Sequence, residues 1–276
     1  MNGSKGMASV WSRLFSVRRK IPARLYWTLV FGSFALVFLL WAAVAFSGIV
    51  KPLFLPSPGA VLEAGIRLFS EGKLLSAMCV STYRVLLGFW LAVLIGVPIG
   101  ILIGNFDFSR AFLGPLMTIA RYFPVSAIVP LSILWLGIGD AEKVFILFIG
   151  IVPYLAILVA DSVAKVKRVL LDVAVTLGAK RKQLLFKVII PAALPDIYDG
   201  IRVSAAIGWT YLIVAELIAS QSGLGYIIIQ AQRYLHTPDI FVAVIVIALL
   251  ALATDLVLAL GYRKLFPWSE KGEENE

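Results

Sequence analysis

Charged side chains are rare in this sequence, so the few that stand in apolar surroundings are the first candidates for chemistry. Arg121 opens RYFPVSAIVP, within an apolar run interrupted by Pro115, Pro124 and Pro130. A cation at membrane depth costs about 2.5–3.5 kcal/mol on insertion scales, which makes it a functional hypothesis by default. It either snorkels or pairs near the inner interface, or it attracts and passes an anion where broken helical backbone lines a water-filled cavity. Glu216 stands in AELIASQSGLG; its carboxylate either accepts hydrogen bonds from the turn at 222–225 or gates the mouth of a path. Trp209 and Tyr211 precede it and either pack or line that path. The third set is Lys180, Arg181 and Lys182, directly after Gly178 and Ala179. In the first turn of a helix these cations oppose the dipole by about 0.3–1 kcal/mol. An acidic or polar partner surface would offset that cost; the alternative is that they only set orientation in the membrane.

Other chemistries lack their parts. One histidine, His236, and one cysteine, Cys79, leave no His- or Cys-based metal site, triad or intrachain disulfide. A phosphate-cradling loop needs G-x-x-x-x-G-K-[ST] between strand and helix. The nearest stretch, GIGDAEK from Gly137, has Glu142 where the second glycine belongs. No cluster of acids, histidines or cysteines stands at one depth for a membrane-embedded enzyme, and no internal repeat supports a stand-alone secondary transporter. The expectation is a chain without catalytic residues or a cofactor of its own. Its net charge of +9 belongs to loops at the membrane rather than to a nucleic-acid surface.

The elements that hold these residues are membrane spans. The 276 residues are 61% hydrophobic and 15% charged, whereas soluble domains carry roughly 25% charged residues. Six runs reach the roughly 17–25 apolar residues needed to cross a bilayer: 27–46, 85–103, 112–136, 144–160, 203–219 and 240–260. The first follows Arg18, Arg19 and Lys20, but it exceeds a signal-peptide core of about 7–15 residues and no clean cleavage site follows. It reads as an uncleaved anchor. With a cytoplasmic N-terminus, 18 Lys and Arg fall on inner segments and six on the outer segments 47–84, 137–143 and 220–239. The positive-inside bias therefore puts both termini in the cytoplasm. The expected fold is all-α: a polytopic membrane protein with six transmembrane helices. Residues 1–26 form a cytoplasmic segment, 27–263 one domain and 264–276 a cytoplasmic tail.

Smaller features fill in the connections. PLFLPSP from Pro52 reads as an extended turn, 61–69 as a short interfacial helix, and 223–235 as a re-entrant or surface helix. Gly96, Gly100 and Gly104 let helices approach closely, within one chain or at a dimer seam. Asp255, near the inner end of the last span, is expected to pair with Arg263. In the cytoplasmic loop 164–198, apolar residues recur at helical spacing on either side of Gly178. This predicts helix, sharp bend, helix, with Pro191 and Pro195 ending the second helix.

In that loop Asp172-Val-Ala174, three residues, Gly178, nine residues and Val188-Ile-Ile190-Pro191 resemble the EAA loop of ABC-importer permeases. Asp replaces Glu, Val the first Ala, Val Ile, and Ile Leu. FLPSP, STYRVLLGF, PLSILWLGIGDAEKV and AELIASQSGLGYII are similar to the nitrate/sulfonate/taurine/bicarbonate group of that family. The resemblance implies a type I ABC-importer permease fold. It also implies a coupling helix carried by Asp172, Ala174, Gly178, Ala179, Lys180, Arg181, Val188, Ile190 and Pro191. The implied partners are a second copy of the chain, a cytoplasmic ABC ATPase dimer that binds ATP and Mg, an extracytoplasmic solute-binding protein and the lipid bilayer. Family members often show Arg-Pro-x-Pro where this chain has Arg121 and Tyr122, with Ser126 at a position that is usually apolar. The path candidates are therefore Arg121, Tyr122, Ser126, Trp209, Tyr211 and Glu216. The implied cargo is a small anion or polar organic solute; a thiamine-precursor pyrimidine is the alternative within the family.

Overall fold

Long uncharged runs become helices because a span in lipid has to satisfy its backbone polar groups internally. The computed structural model describes residues 22–268, and among them every regular element is helical. The cytoplasmic segment expected at 1–26 lies outside this range except for its last residues, as does most of the tail expected at 264–276. Contacts divide the chain at Val61. In the first unit, α1 (Ala23–Phe46) has no buried residue. Trp41 donates from Nε1 to the Pro56 carbonyl at 3.1 Å, which ties the proline-rich turn back to this helix.

The second unit begins within a short helix, α2 (Pro58–Ser70), followed by α3 (Lys73–Asn105), which pairs along its length with α6 (Asp140–Ala164). The pairing is close because Gly88, Gly96, Gly100 and Gly104 face α6. A Cβ at Gly100 would stand 2.5 Å from the Ala156 carbonyl oxygen and from Val159 Cβ. The glycine ridge thus packs within the chain. Against this pair lies α8 (Ile190–Ala219), and Phe89, Leu147, Ile151, Leu155, Ile197 and Leu212 fill the space between the three helices. The last helices are α9 (Leu224–Arg233), at the place expected for a re-entrant helix, and α10 (Thr237–Leu265).

Three expectations are corrected. First, run 112–136 is not one straight span. It is α4 (Asp107–Ala120) and α5 (Val125–Leu136), bent by 95° at residues 121–124. Pro115 and Pro130 are absorbed inside helices. Pro124 breaks the chain because it lacks an N–H and drives the residue before it out of the α region. Five described helices are long and apolar enough to span, and the bent pair makes six. Second, Pro191 and Pro195 do not end the second loop helix. A turn at Arg181–Gln183 passes into a π-helical segment, Leu184–Ile189, and then directly into α8, where Pro191 sits in the first turn. A proline needs no N–H partner there, and the wider π turn before it relieves the ring. Third, Asp255 pairs with Arg202 of α8, at 2.5 and 2.6 Å. Arg263 lies eight residues along the same helix, about 12 Å away at 1.5 Å per residue.

Candidate functional site

Three places gather the chemistry. At one end of the bundle, α7 (Arg168–Thr176) stops at Gly178, whose φ of 82° suits only a residue without a Cβ. Gly178 N–H donates to the Val175 carbonyl and Ala179 N–H to the Ala174 carbonyl, the paired bonds of a Schellman helix end. Lys180 then caps the following turn, its N–H donating to Gln183 Oε1 at 2.8 Å. Asp172, Gly178, Lys180, Arg181 and Pro191 are exposed, while Ala174, Ala179, Val188 and Ile190 are half-buried. Val169, Val173 and Leu177 recur at helical spacing and are exposed, Leu177 by 83%. The hairpin therefore presents an apolar ridge beside three cations.

The α4–α5 break is the second place. Arg121 terminates α4, and its guanidinium lies 5.1 Å from the centroid of the Tyr122 ring, with Nη2 donating to the Tyr122 hydroxyl at 3.3 Å. Its Nε is buried without a hydrogen-bond partner, and no carboxylate pairs with it among the described residues. Tyr122 and Ser126 are both exposed. Of the path candidates, Arg121 and Tyr122 are in contact, and Ser126 follows in the first turn of α5. Trp209 is instead packed in the core, donating from Nε1 to Thr254 Oγ1, and the Tyr211 ring lies over Gly150.

The third place, at the other end, is a buried ionic network. Arg84 is 4% exposed and Glu216 fully buried; Arg84 Nη1 meets Glu216 Oε1 at 2.7 Å. The same guanidinium donates to Asp140 Oδ1, to the Ser222 carbonyl and to Ser222 Oγ. Glu216 also accepts from Ser81 Oγ and from the Gly225 N–H, while the Leu224 N–H donates to Ser81. The carboxylate thus sits at the N-terminus of α9, where the helix dipole favours an anion. Gly223 (φ 100°) and Gly225 flank it, and a Cβ on either would run into Glu216, which accounts for the Gly-Leu-Gly sequence. Beside this network, buried Lys143 meets Glu142 at 2.9 Å and donates to the Ala219 carbonyl at 2.8 Å. These residues tie α3, α6, α8 and α9 together.

Arg84 and Lys143 fall in the segments expected as outer loops, 47–84 and 137–143, and neither they nor Glu142 are among the expected site residues. A signal for Arg84 is present: Leu74, Ala77, Ser81, Arg84 and Gly88 alternate by three and four residues, and all five are buried. That spacing puts Arg84 on the inward stripe of one continuous helix.

Residues 96–270 match the family described as binding-protein-dependent transport system inner membrane component. The chain belongs to that family. It is 36% identical over 246 residues to the taurine transport system permease protein TauC of Escherichia coli (strain K12), covering 87% of this chain and 90% of that protein. To the putative aliphatic sulfonates transport permease protein SsuC of Bacillus subtilis (strain 168) it is 35% identical over 239 residues, covering 87% of each. The fold is shared with a chain of the MetNI methionine ABC transporter in an inward-facing conformation. The TM-score is 0.63 at 18% identity, covering 71% of this permease and 97% of that chain. The permease is thus a multi-pass membrane subunit of the ABC-importer type, with the type I fold expected from its sequence.

Proposed function

We propose that this permease carries a small sulfonate-type solute, taurine or an alkanesulfonate, across the inner membrane, with both termini and the Gly178 hairpin in the cytoplasm. The permeases named for taurine and aliphatic sulfonates, at 36% and 35% identity, support that cargo class. The observation that carries the mechanism is the hairpin itself. It is a rigidly capped bend with an exposed apolar ridge beside Lys180, Arg181 and Lys182, joined without interruption to the long helix α8. A surface of that kind suits the groove of a separate ATPase, which binds ATP and Mg and performs the hydrolysis. Two copies of the permease form the path, two ATPase subunits drive it, and an extracytoplasmic binding protein delivers the solute. Along the path, Arg121 at the α4–α5 break offers a guanidinium with no carboxylate partner to a passing sulfonate, with Tyr122 and Ser126 beside it. Trp209, Tyr211 and Glu216 hold the surrounding helices.

Reconstitution in proteoliposomes with the ATPase and binding protein tests this. Replacing Gly178 with Leu forces a branched side chain into left-handed backbone. The expected result is ATP hydrolysis that no longer drives uptake, with the permease still inserted. Uptake at the unaltered rate would refute the coupling role.

A further inference from the structure

One recess with charged groups in its wall is used by none of these roles. Between α2, the start of α3, the 221–223 turn, α9 and the start of α10 lies a cavity of about 800 Å³. That falls within the roughly 300–1,000 Å³ typical of small-molecule sites. Its charges are balanced: Arg67 meets Asp239 at 2.5 Å, and Lys73 meets Glu71 at 2.7 Å. The Lys73 and Glu71 side chains are 67% and 36% exposed, so water competes for both and the pair is weakly held. The hydrogen bond from Lys73, with the charges of Lys73 and Arg67, holds the Glu71 carboxyl below its usual range, so it is ionised at neutral pH. Gln230 and Tyr226, linked by a 2.9 Å hydrogen bond, add uncharged polar groups to the wall.

A plain anion entering this space meets Glu71 and Asp239 as well as Arg67 and Lys73, and a plain cation fares no better. A molecule carrying both poles avoids that conflict. Its ammonium replaces Lys73 at Glu71 while its acid group replaces Glu71 at Lys73, so no charge is left unpaired. We infer that this cavity is a binding site for a small zwitterion, an ammonium and an acid group on one short chain, admitted between Lys73 and Glu71. The inference rests on the proposed function in one respect, since that reading turns this end of the bundle towards the incoming solute. The wall also has a structural consequence. Ser222 and Gly223 line the cavity; Ser222 is held from behind by Arg84 and Gly225 by Glu216, so an occupant presses on the turn that ties α8 to α9.

A free amino-sulfonate and a phosphatidylethanolamine headgroup carry the same two poles, and the experiment separates them. Taurine, ethanesulfonate and ethylammonium are titrated calorimetrically into the purified permease, and native mass spectrometry reads any retained phosphatidylethanolamine. Glu71→Gln and Lys73→Gln are compared with wild type; both alter exposed groups and leave the Arg67–Asp239 link intact. Taurine is expected to bind at least about tenfold more tightly than either single-charge analogue, the scale of one charged hydrogen bond. Glu71→Gln should turn the preference to ethanesulfonate and Lys73→Gln to ethylammonium. Retained phosphatidylethanolamine that is lost in both variants supports the same site with the lipid as occupant. Ethanesulfonate binding as tightly as taurine to wild type, preferences unchanged in both variants, or binding of neither taurine nor lipid overturns the inference. Each of these outcomes is independent of the Gly178 uptake experiment, so failure of one reading is distinguishable from failure of the other.

Discussion

Replacing Arg84 with Met removes the guanidinium and keeps an unbranched, apolar side chain of similar reach. Five acceptors lose it: Glu216, Asp140, the Ser220 hydroxyl, and both the carbonyl and hydroxyl of Ser222. They do not count equally. Asp140 is 55% exposed and water replaces its partner, so that arm is worth about 0–1 kcal/mol at most. Glu216 is fully buried, and removing one member of a buried pair costs about 3–5 kcal/mol because the remaining charge is stranded. For a chain of this size about 2–4 °C of Tm corresponds to 1 kcal/mol. The expected loss is therefore about 6–20 °C for Arg84→Met, against about 4 °C or less for Asp140→Asn. Fluorescence-detected thermal unfolding in detergent measures both. The double variant Arg84→Met with Glu216→Leu removes the stranded charge and should recover part of the loss. It should not recover all of it, because the Gly225 N–H and the Ser81 hydroxyl then lose their buried acceptor, a cost of about 0.5–2 kcal/mol by analogy with helix caps. A shift below about 3 °C for Arg84→Met, or equal shifts for Asp140→Asn and Arg84→Met, would refute the assignment of the stabilisation to the Arg84–Glu216 arm.

Two glycines of similar sequence setting should respond in opposite ways. Gly100→Ala drives a methyl into the Ala156 carbonyl and Val159 and should cost about 1–3 kcal/mol by overpacking. Gly114→Ala meets nothing within 4 Å and should be neutral or gain up to about 1 kcal/mol of helix propensity; thermal unfolding compares them directly. Arg121→Ala should slow uptake of an anionic sulfonate about tenfold or more, the scale of one charged hydrogen bond, and leave a neutral analogue of the same size little changed. Equal slowing of both in proteoliposomes would remove the electrostatic role.

Much of this arrangement was readable before the structure because the relevant forces are local. Gly178 between two periodic stretches marks a bend whatever surrounds it, and α2 and α9 follow from short amphipathic runs. The remainder depends on partners far apart in the chain. Arg202 and Asp255 are 53 residues apart, and nothing near Asp255 discloses that α8 brings an arginine to it. Which of three prolines breaks the run at 112–136 is likewise not local. Pro115 and Pro130 sit in stretches as apolar as the one around Pro124, and only packing of Val125 and Val129 against Ile146 and Ala215 fixes the direction of α5. Arg84 was hidden by composition: Lys73, Ser76, Ser81, Thr82, Tyr83 and Arg84 make the first turns of α3 look like a loop, although the buried stripe runs straight through them.

The two functional ends are less separate than their positions in the chain suggest. From Arg181 to Ala219 the backbone is helical throughout, 39 residues, or about 58 Å at 1.5 Å per residue. A bilayer core is about 30 Å thick, so one continuous rod reaches from the Gly178 hairpin past the core to the Ala219 carbonyl held by Lys143. Glu216 stands one turn before that end and is bound to Arg84. Displacement applied to the hairpin is therefore delivered to the ionic network unless the rod bends. Its weakest section is the π segment at Leu184–Ile189, where hydrogen bonding departs from the α pattern. The α3–α6 pair cannot absorb the motion, since its glycine contacts leave no slack. Residues 121–124 can, because the four residues between α4 and α5 are not helical. If the hairpin is the handle, the network moves with α8 as one body, and the break that carries Arg121 is where the bundle flexes.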